Sequence, residues 1–281
     1  MSVRRDLHEA NRQSWNAATR AHNSHKGDQA AFFRAGGDTL FPEEVALLGP
    51  LDGRRLVHLQ CNAGQDSLSL ARRGAEVVGV DISDEAIDFA RRLSAGSGIP
   101  ATFERADVFD WLETTDQRFD LAFSSYGALG WLSDLQTWAR GVARVLRPGG
   151  RLVVVEFHPV AWTLDRDGML TYDYFDEQPI VEAEGVHDYV ADSGTGLLPM
   201  EGSEGVQGFR NPHPTWEFQW SIAEILSAAL GAGLQLTAFR EYPYSNGCRM
   251  YADQVMDEAR RYHPPPGRPR LPLMFGLVAA R

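Results

Sequence analysis

The residues best suited to chemistry lie between Leu56 and Ser83. The run L-V-H-L-Q-C-N-A-G-Q-D-S-L starts at Leu56, and V-V-G-V-D-I-S ends at Ser83. An apolar strand there runs into a tight turn, and a helix begins near Asp66. A helix N-terminus presents free N–H groups and the positive end of its dipole, so it suits a nucleotide or a carboxylate-bearing ligand. Asp81 falls at the C-terminal tip of the next strand, where two acceptor oxygens match the vicinal diol of a ribose. It follows Gly64 by 17 residues, near the spacing of a ribose-binding acid.

Further candidates stand at later strand tips, where ligands bind in open α/β sheets. His158, in E-F-H-P, is the candidate general base, with a structural or substrate-contacting role as the equal alternative. Tyr126 closes F-D-L-A-F-S-S-Y and is placed to orient or deprotonate a substrate; packing or stacking is the plainer reading. Trp131, Tyr174, His213 and Tyr244 are candidates to line a substrate pocket, each with an ordinary surface or core role beside it. Trp15, within Asn11 to His25, is a candidate to close over a bound ligand, with amphipathic packing as the alternative.

The elements that must hold these groups alternate. A helix is expected over 6–24, and Phe41-Pro42-Glu43-Glu44 starts a second that ends at Gly49-Pro50. Apolar strands follow at 55–60, 76–80, 101–105, 119–124 and 151–157. Helices fall at 66–73, 84–93 and 135–146, and Ser83 is an N-cap. Such alternation predicts an α/β fold, a doubly wound and mostly parallel sheet covered on both faces. Residues 160–215 break the rhythm with Gly, Asp, Glu, Tyr and Pro and weak strand patterns near 169–175 and 185–189. They read as an inserted lid or substrate wall, with a partly disordered loop as the alternative. A helix at 217–230 and strands at 235–241 and 271–281 complete a seven-stranded sheet, the late pair forming an antiparallel edge. The organisation is an N-terminal helical cap over 1–50 and a Rossmann-like domain over 51–281 carrying the 160–215 insertion.

Composition narrows the function. In 281 residues the formal net charge is −11, which disfavours nucleic acid and anionic membrane surfaces as partners. A Pro/Arg-rich stretch from Arg260 to Arg270 reads as a solvated loop. Two cysteines, Cys61 and Cys248, allow no disulfide framework and no paired-cysteine metal site. His22 and His25 lack a carboxylate partner motif, so no metal is expected. No signal segment or membrane span is read, so a cytoplasmic protein is expected, and a homodimer is left open.

The stretch from Leu56 resembles motif I of the class I S-adenosylmethionine-dependent methyltransferase family, an acidic residue followed by alternating glycines. The matching positions are His58, Gln60, Asn62 and Gly64, so only the last glycine is kept. The run H-L-Q-C-x-x-G-Q-D is most similar to a bacterial small-molecule subgroup. Asp107-Val108 matches the position of an acid that takes the adenine amino group. Phe119 to Gly127, with Ser124, matches the fourth motif, and Arg147-Pro148-Gly149-Gly150 is the most characteristic small match.

This resemblance implies S-adenosylmethionine as the cofactor, contacted by Trp15, Gln60, Cys61, Asn62, Gly64, Asp66, Asp81, Ile82, Asp107, Val108 and Ser124. Gln60 and Asn62 bring side chains where the family has bare backbone, so they are expected to touch the methionine part or the adenosine. His58, in place of an acid, leaves open what meets the ligand's ammonium group. The implied reaction is methyl transfer to an oxygen, nitrogen or carbon of a small molecule, compatible with secondary metabolism. The rivals are a non-catalytic cofactor-binding protein of the same fold and a nicotinamide-dependent oxidoreductase. G-x-G-x-x-G is absent, which disfavours the latter.

Overall fold

A computed structural model describes residues 2–281. Helices precede the sheet: α1 (Arg5–Ser24), α2 (Gln29–Arg34) and α3 (Pro42–Leu48). Pro42 opens α3, and Glu44 Oε2 accepts the Phe41 N–H at 2.6 Å, closing the first turn.

The sheet strands are β1 (Arg55–Leu59), β2 (Glu76–Asp81), β3 (Thr102–Arg105), β4 (Phe119–Ser125), β5 (Leu146–Phe157), β6 (Gln235–Tyr242) and β7 (Met274–Ala280). Their order across the sheet is β3-β2-β1-β4-β5-β7-β6. The pairings from β3 to β5 are parallel, and β7 lies antiparallel between β5 and β6. The doubly wound, mostly parallel seven-stranded expectation is therefore met, with one refinement. The antiparallel strand is inside the sheet, and β6 is the edge.

Between the strands run α4 (Gln65–Arg72), α5 (Asp84–Ser97), α6 (Val108–Thr114), α7 (Leu135–Val145), α8 (Tyr189–Ser193) and α9 (Ile222–Gly231). Successive strand residues point to opposite faces, which divides the core. Val57, Leu59, Val154 and Phe275 pack with Leu112, Trp138 and Ile225 from α6, α7 and α9. Leu56, Leu121, Phe123, Val153 and Val155 pack with Leu47 and Leu70 from α3 and α4. Strands buried on both faces are near-continuous apolar runs, as this sequence shows.

Several expected boundaries move. α5 continues to Ser97, where Gly98 in a left-handed conformation ends it. The helix expected from residue 217 starts at Ile222, because Ser221 and Glu224 form a reciprocal capping box. Residues Thr215–Glu217 instead pair antiparallel with Ile180–Glu182. No strand forms over 169–175, and 185–189 runs into α8. Between β6 and β7 the chain makes a second excursion, with a small antiparallel sheet of Ser245–Asn246, Val255–Met256 and Arg261–His263. Among the described residues no helix is long and apolar enough to cross a membrane.

Candidate active site

The loop after β1 shows why two glycines of the motif can be replaced. Gln60 and Asn62 both adopt left-handed backbone, φ 55° and 48°. Each costs on the order of 1 kcal/mol, least for Asn, and each side chain is then used. Gln60 Nε2 donates to Ala128 O at 2.6 Å, tying this loop to the one after β4, and Asn62 Oδ1 accepts the Ala63 N–H. Gly64 cannot be replaced in the same way. Its φ is 80°, and a Cβ there would stand 2.7 Å from Ala90 Cβ and 2.9 Å from the Phe103 ring. Gly64 leads into α4 with no side-chain cap, so the first N–H groups of that helix stay available to a ligand. Gln60 Oε1 is buried without a hydrogen-bond partner.

His58 is core. Its ring bonds Ser67 Oγ at 2.9 Å, stacks on Phe123, and burial pushes its pKa down to about 3. A neutral, internally bonded imidazole offers no negative charge to a ligand's ammonium group. Cys61 also points inward, packed with Ile87, Ala90 and Phe103, and burial raises its thiol well above the usual range.

Asp81 sits half-buried at the β2 tip. Oδ2 accepts the Asn62 N–H and Oδ1 the Ser83 N–H, both at 2.8 Å. Burial raises its pKa to about 6, against those two amides, and further lone pairs remain on each oxygen. At the β3 tip Asp107 caps α6 through the Phe109 N–H and binds His8 Nδ1 at 2.7 Å. Val108 packs into the core, while Ile82 stays half-buried beside Asp81.

These contacts reveal what α1 does. His8 reaches Asp107 and Ser133, Asn16 reaches Ser83 and Asp84, Trp15 meets the Trp131 ring edge-on at 5.3 Å, and Asn23 accepts from Gln65 Nε2. Spaced at about two helical turns, these residues form one stripe crossing the tips of β3, β2 and β1 in turn. On its other side α1 is held by the 160–215 segment and the Trp216 that follows it. Asn11 bonds Trp216 in both directions, Ser14 Oγ accepts from Val186 N–H and Asn211, and His25 bonds Asp188 at 2.7 Å. Tyr189, at the start of α8, packs against His22 at a tilt of 55° with 4.1 Å between centroids and meets Trp15 at 6.3 Å. Sequence reasoning misses His8, Asn16 and Tyr189, since none belongs to a motif.

The tips of β4 and β5 are locked together. Glu156 Oε1 and Oε2 accept the N–H groups of Gly127, Ala128, Leu129 and Phe157, fixing the turn after β4. Tyr126 takes left-handed backbone at φ 43° just before that turn. Its hydroxyl accepts from Asn246 Nδ2 at 3.0 Å and faces Glu44, and burial raises it well above the usual phenol range. Ser124 Oγ, wholly buried, has no partner. His158 turns the other way: Nδ1 accepts the Val160 N–H, and Nε2 lies 3.1 Å from Glu241 on β6. Tyr174 accepts the Ile222 N–H at the start of α9, and His213 lies half-buried beyond Asn211. Tyr244 donates to Glu43 at 2.8 Å. Asp66 accepts from Thr39 Oγ1 at 2.6 Å, with Lys26 and Arg260 nearby. Among the described residues no cluster of three or more His, Cys, Asp or Glu could hold a metal ion.

Comparison with known proteins bears on this arrangement. Residues 57–150 match the family described as a methyltransferase domain. The chain is 31% identical over 106 residues to a ubiquinone biosynthesis O-methyltransferase of Alkalilimnicola ehrlichii, covering 38% of this chain and 42% of that protein. It is 31% identical over 171 residues to O-methyltransferase cnsE of Penicillium expansum, covering 58% and 60%. The chain thus spans less than two thirds of these relatives. A solved S-adenosylmethionine-dependent methyltransferase from Mesorhizobium loti shares the fold, with a TM-score of 0.57 and 23% identity over 85% of this chain and 96% of that one.

Proposed function

The chain carries a methyltransferase domain of the class I S-adenosylmethionine-dependent fold, and from this premise we propose that it transfers a methyl group from S-adenosylmethionine to a small molecule. The carrying observation is that Gln60, Asp81 and Asp107 stand at successive strand tips, with α1 hydrogen-bonded to the loop that follows each.

The residues fit this cofactor group by group. Asp81 accepts from the ribose hydroxyls with its remaining lone pairs. The uncapped α4 N-terminus meets the methionine carboxylate. Gln60 Oε1, buried without a partner, accepts from the ammonium, the role His58 does not take. Asp107, steadied by His8, marks the adenine end, with Ile82 half-buried beside Asp81. Trp15, Trp131 and Tyr189 shield the cleft from water. When bound, the cofactor supplies an electrophilic methyl group; the chain supplies proximity and orientation.

His158 is better suited to positioning than to proton removal. With Nδ1 accepting from Val160, the neutral ring carries its proton on Nε2 toward Glu241 and has no free lone pair. Tyr126 is the strand-tip hydroxyl that faces the acceptor side. An oxygen acceptor is supported by the names of the two curated relatives, and a small molecule by the aromatic rings gathered around Trp15 and the net charge of −11. Secondary metabolism is compatible with the cnsE likeness. Turnover of an acceptor separates this reading from a non-catalytic binder.

Isothermal titration tests the assignment. S-adenosylmethionine and S-adenosylhomocysteine should each bind at one site, and Asp81→Ala should weaken both without unfolding the protein. Absence of heat and of thermal shift at millimolar ligand would refute it, as would preferential binding of a nicotinamide cofactor.

A further inference from the structure

Near the β4 tip, α3 holds a carboxyl group whose second oxygen has no structural task. Glu44 is fully buried, at 0% exposure. Oε2 accepts the Phe41 N–H at 2.6 Å, while Oε1 has no hydrogen-bond partner. The groups facing it come from every element around it. They are the Tyr126 hydroxyl from the β4 tip, Asp66 from the first turn of α4, Glu43 from α3 itself, and Arg260 from the excursion between β6 and β7. Asn246, 2% exposed, adds a second unpartnered atom: Nδ2 donates to Glu43 and Tyr126, but Oδ1 has nothing.

The other acids of the cluster are matched. Glu43 takes Arg261 at 2.6 Å and the Tyr244 hydroxyl at 2.8 Å. Asp66 takes Thr39, with Lys26 and Arg260 lowering its charge cost. Glu44 has no hydrogen-bonded cation of its own. Burial, reinforced by the neighbouring Asp66, favours its neutral form. A cation arriving beside Tyr126 and Asp66 would reverse that preference.

We propose that Glu44 is a charge-gated proton acceptor for an acceptor hydroxyl, ionised by the positive charge of the bound cofactor. This rests on the cofactor assignment above and specifies an O–H acceptor. The acceptor O–H bond breaks as the O–CH3 bond forms. Its proton passes to Glu44 Oε1, and the S–CH3 bonding pair stays on sulfur. One positive and one negative charge vanish together, so the neutral product leaves Glu44 protonated. The cycle resets when the next cationic cofactor binds and a proton is released.

The test is the ratio of S-adenosylmethionine to S-adenosylhomocysteine affinity against pH, with proton release read by titration calorimetry in buffers of different ionisation enthalpy. Asp81 is intact in both wild type and Glu44→Gln, so the difference between their profiles isolates the titration of Glu44. For the wild type the ratio should rise as pH rises through the titration of Glu44, by at most about tenfold per unit, with a proton released only by the cationic ligand. Glu44→Gln keeps an oxygen for the Phe41 N–H. It should bind S-adenosylhomocysteine within about threefold of wild type, flatten the ratio, abolish the release and lower kcat by about 100-fold or more. Glu44→Asp should restore part of the pH dependence. Failure of the wild type to bind either ligand overturns the cofactor assignment itself. Binding of both with a flat ratio, or an unchanged ratio in Glu44→Gln, overturns the role of Glu44 alone.

Discussion

Replacing Asp81 by Asn separates its ligand role from its structural cost. In the folded chain its two oxygens accept the Asn62 and Ser83 N–H groups, and burial raises its pKa from 3.8 to about 6. A raised carboxyl pKa means that the folded state holds the proton more tightly than the unfolded state. Stability is therefore reduced above the folded pKa and recovers as pH falls from about 6 toward 3.8. A rise of that size costs about 3 kcal/mol of stability at pH 7.5. Asn removes this cost but turns an NH2 group toward one amide, a loss of about 1–3 kcal/mol. Asp81→Asn should thus be near wild-type stability at pH 7.5. At pH 4.5, where wild type still carries about 1 kcal/mol of the cost, it should be level with wild type or less stable by up to about 2 kcal/mol, up to roughly 8 °C in Tm. Affinity for S-adenosylhomocysteine at pH 7.5 should fall by one charge-assisted hydrogen bond or more, on the order of 10- to 150-fold. Calorimetric melts at both pH values and titrations at pH 7.5 measure all three quantities. A variant that loses more stability at pH 7.5 than at pH 4.5, or that keeps ligand affinity within threefold, would refute the reasoning.

Glu156→Gln turns an NH2 group against two of the four amides that Glu156 gathers. Denaturant unfolding should show a loss of about 2–4 kcal/mol, and an unchanged midpoint would contradict the anchoring role. Gly64→Ala forces a Cβ to 2.7 Å from Ala90 at a left-handed position, so Tm should drop by several degrees and cofactor binding should weaken; normal melting would show that the loop relaxes freely. His22, pushed down to about 4 mainly by burial, is neutral where it packs against Tyr189. Its depressed pKa withdraws up to about 3 kcal/mol of stability as pH falls from 6.5 to 4. His22→Phe should flatten that part of the pH–Tm profile, and an unchanged slope would place the acid sensitivity elsewhere.

Sequence and structure agree where the signal is local. Strands β1, β2, β4 and the second half of β5 are largely apolar runs bounded by turn residues, and Gly64 and Asp81 are fixed by spacing within one strand–helix–strand unit. α2 and α6 escape a reading by pattern because they span six and seven residues, too short for helical periodicity to stand out. The Ser221-x-x-Glu224 box is in plain sight, yet the apolar Trp216, Phe218 and Trp220 pull the expected helix start too early. The 180–182 and 215–217 pair joins segments that no local pattern links. The same non-locality hides much of the site. His8 and Asn16 become meaningful only once α1 lies across the strand tips, and Asn246 and Arg260 only once the second excursion folds back. Glu44 does carry a signal, as the third residue of a helix opened by Pro42, but that signal speaks of capping and not of chemistry.

A crystal structure with S-adenosylhomocysteine tests the central claim most directly. The adenine should lie toward Asp107 and His8, the ribose hydroxyls on Asp81, the ammonium on Gln60 Oε1 and the carboxylate at the α4 N-terminus, all beneath α1. A ligand seated elsewhere, or one in that cleft with Asp81 and Gln60 making no contact to it, would contradict the claim.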